Sequence, residues 1–268
     1  MKPMTRAVYV VVCSLLLFSA TAYADDFEIH NAAEVEQAVV RTQTICSYTM
    51  DARDPKNPPA QATARHHFNS FFVRHAVVGG KQIETLVTSG HSFLCDSTLY
   101  DIFGEANTEW YDVDSFKGSV AAVLVWQGNA EQGPGAVVSV RYTQDFYDPI
   151  DIATFTIELP AGTPHKHLSI GSPAWYGVES KVVVRGFMNP HDAHISIFRY
   201  KEGLIEAKGT NAVRISTSLY PGMSGSPLTL RHKGKWYAIG VMVRYGLDRQ
   251  NGFWDASWAT IIPKDFLK

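Results

Sequence analysis

Residues 221–227 read Pro-Gly-Met-Ser-Gly-Ser-Pro, and this stretch decides how the rest of the chain is interpreted. A serine hydroxyl is a poor nucleophile unless a base removes its proton and hydrogen-bond donors stabilise the oxyanion that forms. Glycines on both sides of Ser224 allow a tight turn that aims the N–H groups of Gly222 and Ser224 at one point. Ser224 is therefore the candidate nucleophile, and a plain Gly/Ser/Pro turn is the alternative.

A candidate base lies upstream, at the end of a β-rich run. Residues 86–91 read Leu-Val-Thr-Ser-Gly-His, so small residues precede His91 and let its ring approach another segment closely. Imidazole, with an ordinary pKa of about 6.5, accepts and returns a proton near neutral pH. His91 is the candidate general base, and a purely structural histidine is the alternative.

Between these two residues lies a carboxylate that opens an apolar strand. Residues 148–153 read Asp-Pro-Ile-Asp-Ile-Ala. An aspartate at the start of that strand could accept a hydrogen bond from His91 Nδ1, which fixes the tautomer and stabilises the imidazolium. We expect Asp151 to fill this role, with Asp148 as its nearest rival.

Together the three stretches resemble the trypsin-like (chymotrypsin-fold) serine proteases. GMSGSP is similar to the family's G-D/N-S-G-G/S-P, VTSGH to its T-A-A/G-H, and DIA to its D-I-A. The order His91, Asp151, Ser224 is also the family's order. The resemblance extends over residues 68–268 and is closest to the bacterial HtrA protease domain and the glutamyl endopeptidases.

The resemblance implies an all-β fold of two antiparallel six-stranded β-barrels, with the active site in the cleft between them. It implies a serine endopeptidase that acts through an acyl-enzyme, with Ser224 as nucleophile, His91 as general base and then acid, and Asp151 as the orienting carboxylate. The N–H groups of Gly222 and Ser224 would form the oxyanion hole. A catalytically silent protein of the same fold that binds peptides or partners is the alternative.

The specificity pocket is weakly encoded. Ser218, six residues before the nucleophile, stands where the family often has the pocket floor, and it is small and neutral. Residues 238–245 are similar to the strand that lines the pocket, which puts Val243 and Arg244 on its wall. A basic P1 residue would need a carboxylate there, so we expect an apolar or acidic P1. Arg244 would favour an acidic P1 by charge pairing, unless it is a solvated strand arginine.

The start of the chain has the pattern of a secretory signal peptide. Basic Lys2 and Arg6 precede an apolar run at 7–18, and residues 22–24 read Ala-Tyr-Ala, as at a cleavage site. We therefore predict a signal peptide at 1–24 and a secreted or periplasmic protein.

The remaining composition is that of an ordinary globular protein. The 268 residues are 46% apolar and carry a net charge of −2. This net charge does not favour binding to nucleic acid or to an anionic membrane. Peptide or protein substrates are the expected partners. The stretch after Ser224 suffices to complete a barrel, so no PDZ domain is expected. The predicted domains are the signal peptide at 1–24, an N-terminal segment and loop at 25–65, and the protease domain at 66–268.

Two cysteines, Cys46 and Cys95, follow the signal peptide. An even pair in an exported protein favours one disulfide bond, and two buried free thiols are the alternative. The chain has no Cys-x-x-Cys pair to support a zinc site.

Several histidines stand close together in the sequence. His165 with His167, and His191 with His194, are pairs that could hold a metal ion. Since no third ligand supported by a carboxylate is evident in the sequence, we predict no metal site and no cofactor. Residues 66–67, both histidine, are predicted to lie on a loop at the surface.

Secondary-structure patterns favour strands over most of the chain. One short helix is predicted, capped by Asn31, with Val35, Ala38 and Val39 on one face. Alternation and turn residues predict a hairpin closed by Gly79-Gly80. The predicted strands are 71–78, 81–88, 120–126, 136–141 (the last two joined by a turn-like stretch at 128–135), 152–157, 181–186, 213–217 and 236–243.

Overall fold

The computed structural model describes residues 31–95, 102, 110–127, 130–143, 148–188, 197–217, 219, 222–246, 256–263 and 266, with backbone alone at 197, 244–246 and 256. The predicted signal peptide lies outside the described residues. The helix and strands are α1 (Ala32–Ala38), β1 (Val39–Met50), β2 (Ala60–Val78), β3 (Lys81–Thr88), β4 (Lys117–Gln127), β5 (Ala130–Tyr142), β6 (Asp151–Pro160), β7 (Lys181–Met188), β8 (Ile197–Lys208), β9 (Ala212–Ile215), β10 (Pro227–His232), β11 (Lys235–Gly246) and β12 (Ala256–Ile261). Short 3₁₀ helices span Gly90–Phe93, Val113–Ser115 and Pro173–Trp175.

The strands form two closed antiparallel barrels of six strands each. The first has the order β1-β2-β3-β6-β5-β4 and the second β10-β11-β12-β9-β8-β7. The second barrel closes through a short contact, in which Leu228 pairs with Val184 and Thr229 with Val183. The predicted double-barrel fold is confirmed. Within the described part of the chain, no helix is long and apolar enough to cross a membrane.

Most buried apolar side chains of the described residues lie in three large clusters, one in each barrel and one where the barrels meet. Burying apolar side chains contributes about 25 cal/mol per Å², so these clusters hold the two barrels together and fix the cleft between them. Members of the three clusters are, in that order, Phe72, Leu86 and Phe155; Val184, Ile205 and Met242; and Phe71, Ile152 and Val243.

The predicted hairpin turn and the predicted helix cap are both present in the structure. Gly79 and Gly80 have φ of +59° and +77°, as a two-residue turn between twisted strands requires, so β2 and β3 form the predicted hairpin. Asn31 caps α1 by accepting a hydrogen bond of 3.0 Å from Glu34 N, and Val35 and Ala38 are buried.

Three predictions about where segments of the first barrel begin are wrong, and the first concerns β2, which begins at Ala60 and not at Phe71. The first barrel does not begin at residue 66, because β1 pairs along its length with both β2 and β4. Its polar residues 41–44 are buried, which hides the alternation by which a strand is recognised. The turn-like stretch at 128–135 is also mostly strand, since β5 begins at Ala130.

Candidate active site

Two short contacts join His91, which follows β3, to Asp151, which begins β6. Asp151 Oδ2 lies 2.7 Å from His91 Nδ1, and Asp151 Oδ1 accepts a hydrogen bond of 2.8 Å from His91 N–H. The Asp151 side chain is 2% exposed and that of His91 35%. One carboxylate thus fixes both the ring and the backbone of the histidine and leaves Nε2 as the nitrogen that could exchange a proton with a substrate.

Gly90 allows this approach. It opens the 3₁₀ helix that follows β3, and a Cβ there would lie 2.9 Å from the Arg141 carbonyl oxygen and 3.2 Å from Asp151 Oδ1. A larger residue would push the His91 turn away from β6. The expectation that a small residue beside His91 permits close approach to another segment agrees with this geometry.

Asp151 is also tied to the second barrel. Its N–H donates to Thr260 Oγ1 at 3.1 Å, and the Thr260 hydroxyl donates to the Pro149 carbonyl oxygen at 3.2 Å. The rival carboxylate, Asp148, faces elsewhere and accepts hydrogen bonds of 2.8 and 2.9 Å from the backbone N–H groups of Asn211 and Ala212. Of the two aspartates, the structure pairs only Asp151 with His91.

The Ser224 segment is a tight turn pressed against the first barrel. Gly222 and Gly225 have φ of +86° and +80°, a region that favours glycine. A Cβ on Gly225 would lie 1.9 Å from the Asn69 carbonyl oxygen and 2.3 Å from Thr88 Oγ1. Because Thr88 ends β3 three residues before His91, this contact brings Ser224 to the end of β3 that carries His91.

Asn69, in the middle of β2, holds this turn in place. Its backbone N–H donates to the Ser224 carbonyl oxygen at 2.8 Å, and its carbonyl oxygen accepts a hydrogen bond of 2.6 Å from Thr88 Oγ1. The fully buried side chain donates to the carbonyl oxygens of Gly222, at 2.9 Å, and Phe187, at 3.0 Å, and accepts from Phe187 N–H at 2.7 Å. Sequence reasoning missed Asn69, whose signal is a polar residue inside the apolar run 68–73.

The groups that would meet a substrate are free of internal partners. Within the described part of the chain, neither Gly222 N–H nor Ser224 N–H donates a hydrogen bond, as an oxyanion hole requires. Ser224 is half-buried as a residue, and no hydrogen bond links its hydroxyl to the His91 ring among the described residues. Such catalytic hydrogen bonds are often long before a substrate binds.

The three residues assigned to the specificity pocket are described unequally. Ser218 lies outside the described residues, and only the backbone of Arg244, paired with Trp258 of β12, is described. The Val243 side chain is 5% exposed and packs in the cluster between the barrels. The pocket assignment stays a prediction.

The predicted disulfide bond is confirmed and lies beside the site. Cys46 of β1 and Cys95 are bonded, with their Cα atoms 5.5 Å apart. Cys95 follows His91 by four residues, so the bond fastens the end of the His91 turn to the first barrel.

The histidines at 66–67 are in β2 and not on a surface loop, which corrects the prediction for them. Nε2 of His67 lies 2.9 Å from Gln43 Nε2, and Nε2 of His66 lies 3.4 Å from the Tyr48 hydroxyl. Burial lowers the pKa of His66, and nearby His91 lowers it further. His66 is therefore an electrostatic neighbour of the candidate base.

Comparison with solved structures shows the same fold in proteases. A variant of the HtrA-type protease AlgW with a decapeptide has a TM-score of 0.52 and 14% identity, over 85% of this chain and 61% of that chain. The same protease variant with a tripeptide has a TM-score of 0.50 and 14% identity, over 88% of this chain and 59% of that chain. The chain has a trypsin-like double-barrel fold and spans about three fifths of the length of these structures. No family model and no curated protein matches it.

Proposed function

We propose that this protein is a serine endopeptidase that hydrolyses peptide bonds through an acyl-enzyme. The observation that carries the proposal is the pair of hydrogen-bond contacts that join His91 to Asp151. Asn69 anchors the Ser224 turn next to this pair. A serine, an imidazole and a carboxylate at one cleft are the three groups that nucleophilic acyl transfer needs.

Each group has a defined step in this reaction. Ser224 Oγ attacks the substrate carbonyl carbon while His91 Nε2 takes the hydroxyl proton, and the oxyanion accepts hydrogen bonds from Gly222 and Ser224 N–H. His91 then gives that proton to the leaving amine as the C–N bond breaks. A water molecule, deprotonated by His91, attacks the resulting ester, and His91 returns that proton to Ser224 Oγ as the ester C–O bond breaks and the acid product leaves. Asp151 stays ionised throughout and stabilises the imidazolium.

The substrates would be peptides with an apolar or acidic P1 residue. This rests on the small, neutral Ser218 and on the positive charge of Arg244, both assigned to the pocket from the family resemblance. Cleavage of a peptide library tests it: a dominant lysine or arginine at P1 would contradict the assignment, and loss of acidic-P1 cleavage in Arg244→Gln would support it.

The signal peptide predicted at 1–24 and the Cys46–Cys95 bond support an exported protein, since disulfide bonds persist in oxidising compartments. Expression in a bacterial host followed by fractionation tests this. Recovery of full-length, unprocessed chain in the cytoplasm would contradict export.

Among the described residues, no hydrogen bond joins the Ser224 hydroxyl to the His91 ring. This favours a second candidate function, that of a catalytically silent protein that binds peptides without cleaving them. Labelling by a fluorophosphonate probe, which reacts only with an activated serine, separates the two. We expect labelling of the wild type and none of Ser224→Ala or His91→Ala at unchanged far-UV circular dichroism. A folded wild type that resists the probe and yet binds peptides would establish the silent protein.

A further inference from the structure

A cluster of metal-binding side chains lies on the β2–β3 hairpin, at a distance from the candidate active site. His75 of β2 and Glu84 of β3 are register partners, so their side chains are neighbours on one face. His167, after β6, places Nε2 at 2.6 Å from Glu84 Oε2. Glu84 is four residues before Thr88, about 13 Å along an extended strand. The ligand atoms of the three residues all lie within 4.8 Å of one another.

Glu84 is a fully buried carboxylate. It lies on the same face of β3 as Leu86, which belongs to the core of the first barrel. Burying a carboxylate there is costly unless the charge is compensated. Gln82 Nε2 donates a hydrogen bond of 2.6 Å to Glu84 Oε1, which orients the carboxylate and leaves Oε2 facing the histidines. Partners of this kind orient ligands in metal sites.

A second, independent observation, made on His165, points to a ligand at this cluster. It is 6% exposed, and both of its ring nitrogens are buried with no hydrogen-bond partner among the residues that the structure describes. Buried polar groups are rarely left unpaired. Its ring lies 4.5 Å from that of Phe72, which also contacts the His167 ring at 6.1 Å.

We propose that His75, Glu84 and His167, with His165 beside them, bind one divalent transition metal ion of the Zn²⁺ class. Imidazole nitrogens with one carboxylate oxygen suit Zn²⁺, whereas Ca²⁺ and Mg²⁺ prefer all-oxygen sites. Around tetrahedral Zn²⁺, neighbouring ligand atoms are about 3.4 Å apart. The contact between His167 and Glu84 therefore needs to open by less than about 1 Å.

The sequence reveals only half of this site. His165 and His167 stand close together in the chain, but the carboxylate and His75 come from a hairpin that lies more than eighty residues earlier in the chain, so only the pairing of β2 with β3 supplies them. The bound ion would fasten that hairpin to the segment that leads from β6 towards β7. Because the ion would bind the folded chain in preference to the unfolded one, it would stabilise the fold. It would take no part in peptide hydrolysis.

Metal binding is measured on the chelator-treated protein after removal of the signal peptide. We expect titration with Zn²⁺ to saturate at one ion per chain and to raise the melting temperature, and Co²⁺ to give the visible absorption of a four- or five-coordinate site. Ca²⁺ serves as the oxygen-seeking control and should leave the melting temperature unchanged.

Variants locate the ion. Loss of an outer partner of a metal site costs about 10–100-fold in affinity, so His75→Ala and His167→Ala should each weaken Zn²⁺ binding more than about 100-fold. Glu84→Gln keeps the shape of the carboxylate and should weaken binding comparably. His232→Ala, which removes a histidine stacked on Trp175 outside the cluster, is the matched control and should bind as the wild type does.

Three results would overturn the proposal. They are absence of saturable Zn²⁺ binding to the folded wild type, wild-type affinity in folded His75→Ala and His167→Ala, and loss of binding in His232→Ala. Since the wild-type titration and the Co²⁺ spectrum need no variant, a variant that fails to fold leaves the proposal testable.

Discussion

Asn69 holds Gly222 across the cleft between the barrels, through a 2.9 Å hydrogen bond from its side-chain amide to the Gly222 carbonyl oxygen. The same amide donates to and accepts from the backbone of Phe187 in β7. One buried residue of the first barrel therefore fixes two segments of the second, one of which carries the candidate oxyanion hole. In the proposed reaction Asn69 would be a positioning residue, because it would act on a substrate only through Gly222 and Ser224.

Asn69→Asp should impair turnover more than substrate binding. The carboxylate keeps the shape of the amide but loses both donated hydrogen bonds and turns its charge towards two carbonyl oxygens. An unsatisfied buried group costs about 1–3 kcal/mol, and a loss of that size in transition-state stabilisation corresponds to about 5–150-fold in kcat. We expect KM to change little, since a misplaced oxyanion hole weakens only the transition state. Asn57→Asp, the same change on an exposed loop residue, is the control, and a folded Asn69→Asp enzyme with normal kcat would exclude the positioning role.

The candidate residues of the site are easier to recognise in the sequence than the scaffold that holds them. Few residue types can serve as a nucleophile or a base, and glycines flank Ser224 and precede His91, so these two stretches stand out. Asn69 and Thr260 do not, because a polar residue within a strand is ambiguous until its partners are known. Both make their decisive hydrogen bonds to residues of the other barrel, which no local pattern encodes.

The strands were predicted where alternation or turn glycines mark them, as in the hairpin closed by Gly79-Gly80. β1 was missed because polar residues 41–44 are buried on both of its faces. β8 was missed because the charged residues in its sequence, IFRYKEGLIEAK, interrupt the apolar pattern by which a strand is recognised. The strand nevertheless pairs with a neighbour on each side. In both cases, barrel closure supplies partners that outweigh weak local preferences.

Asp151→Asn should reduce kcat on the order of 10⁴-fold, by analogy with the loss of the orienting carboxylate in the triad template. The amide cannot stabilise an imidazolium, and it favours the wrong tautomer of His91. The matched control is Asp148→Asn, the same change three residues earlier on a carboxylate that binds Asn211 and Ala212. It should lower the melting temperature and leave kcat within a few fold. Both variants are measured on the same peptide substrate. If the two substitutions reduced kcat equally, the contact between Asp151 and His91 would not be the one on which catalysis depends.

Removal of the disulfide bond should destabilise the protein through its unfolded state. Cys46 and Cys95 are 49 residues apart, and closing such a loop restricts the unfolded chain by about 4 kcal/mol in the chain-entropy model. Denaturant unfolding of the Cys46→Ala/Cys95→Ala double variant should show a loss of this order. A reductant should shift the wild type towards the variant and leave the variant unchanged. Identical midpoints for the oxidised wild type and the variant would show that the bond adds no stability.

His66 should make stability depend on pH. Burial and, next, nearby His91 lower the pKa of His66 in the folded protein below its ordinary value of about 6.5. Below about pH 6.5 the unfolded chain then binds more protons than the folded one, so stability is fully present above this pH and is lost as the pH falls. His66→Gln keeps a polar group facing Tyr48 but does not titrate. Its melting temperature should therefore fall less than that of the wild type between about pH 7.5 and about pH 5. Every other titrating group is common to the two proteins, so parallel melting curves across this range would show that His66 contributes nothing.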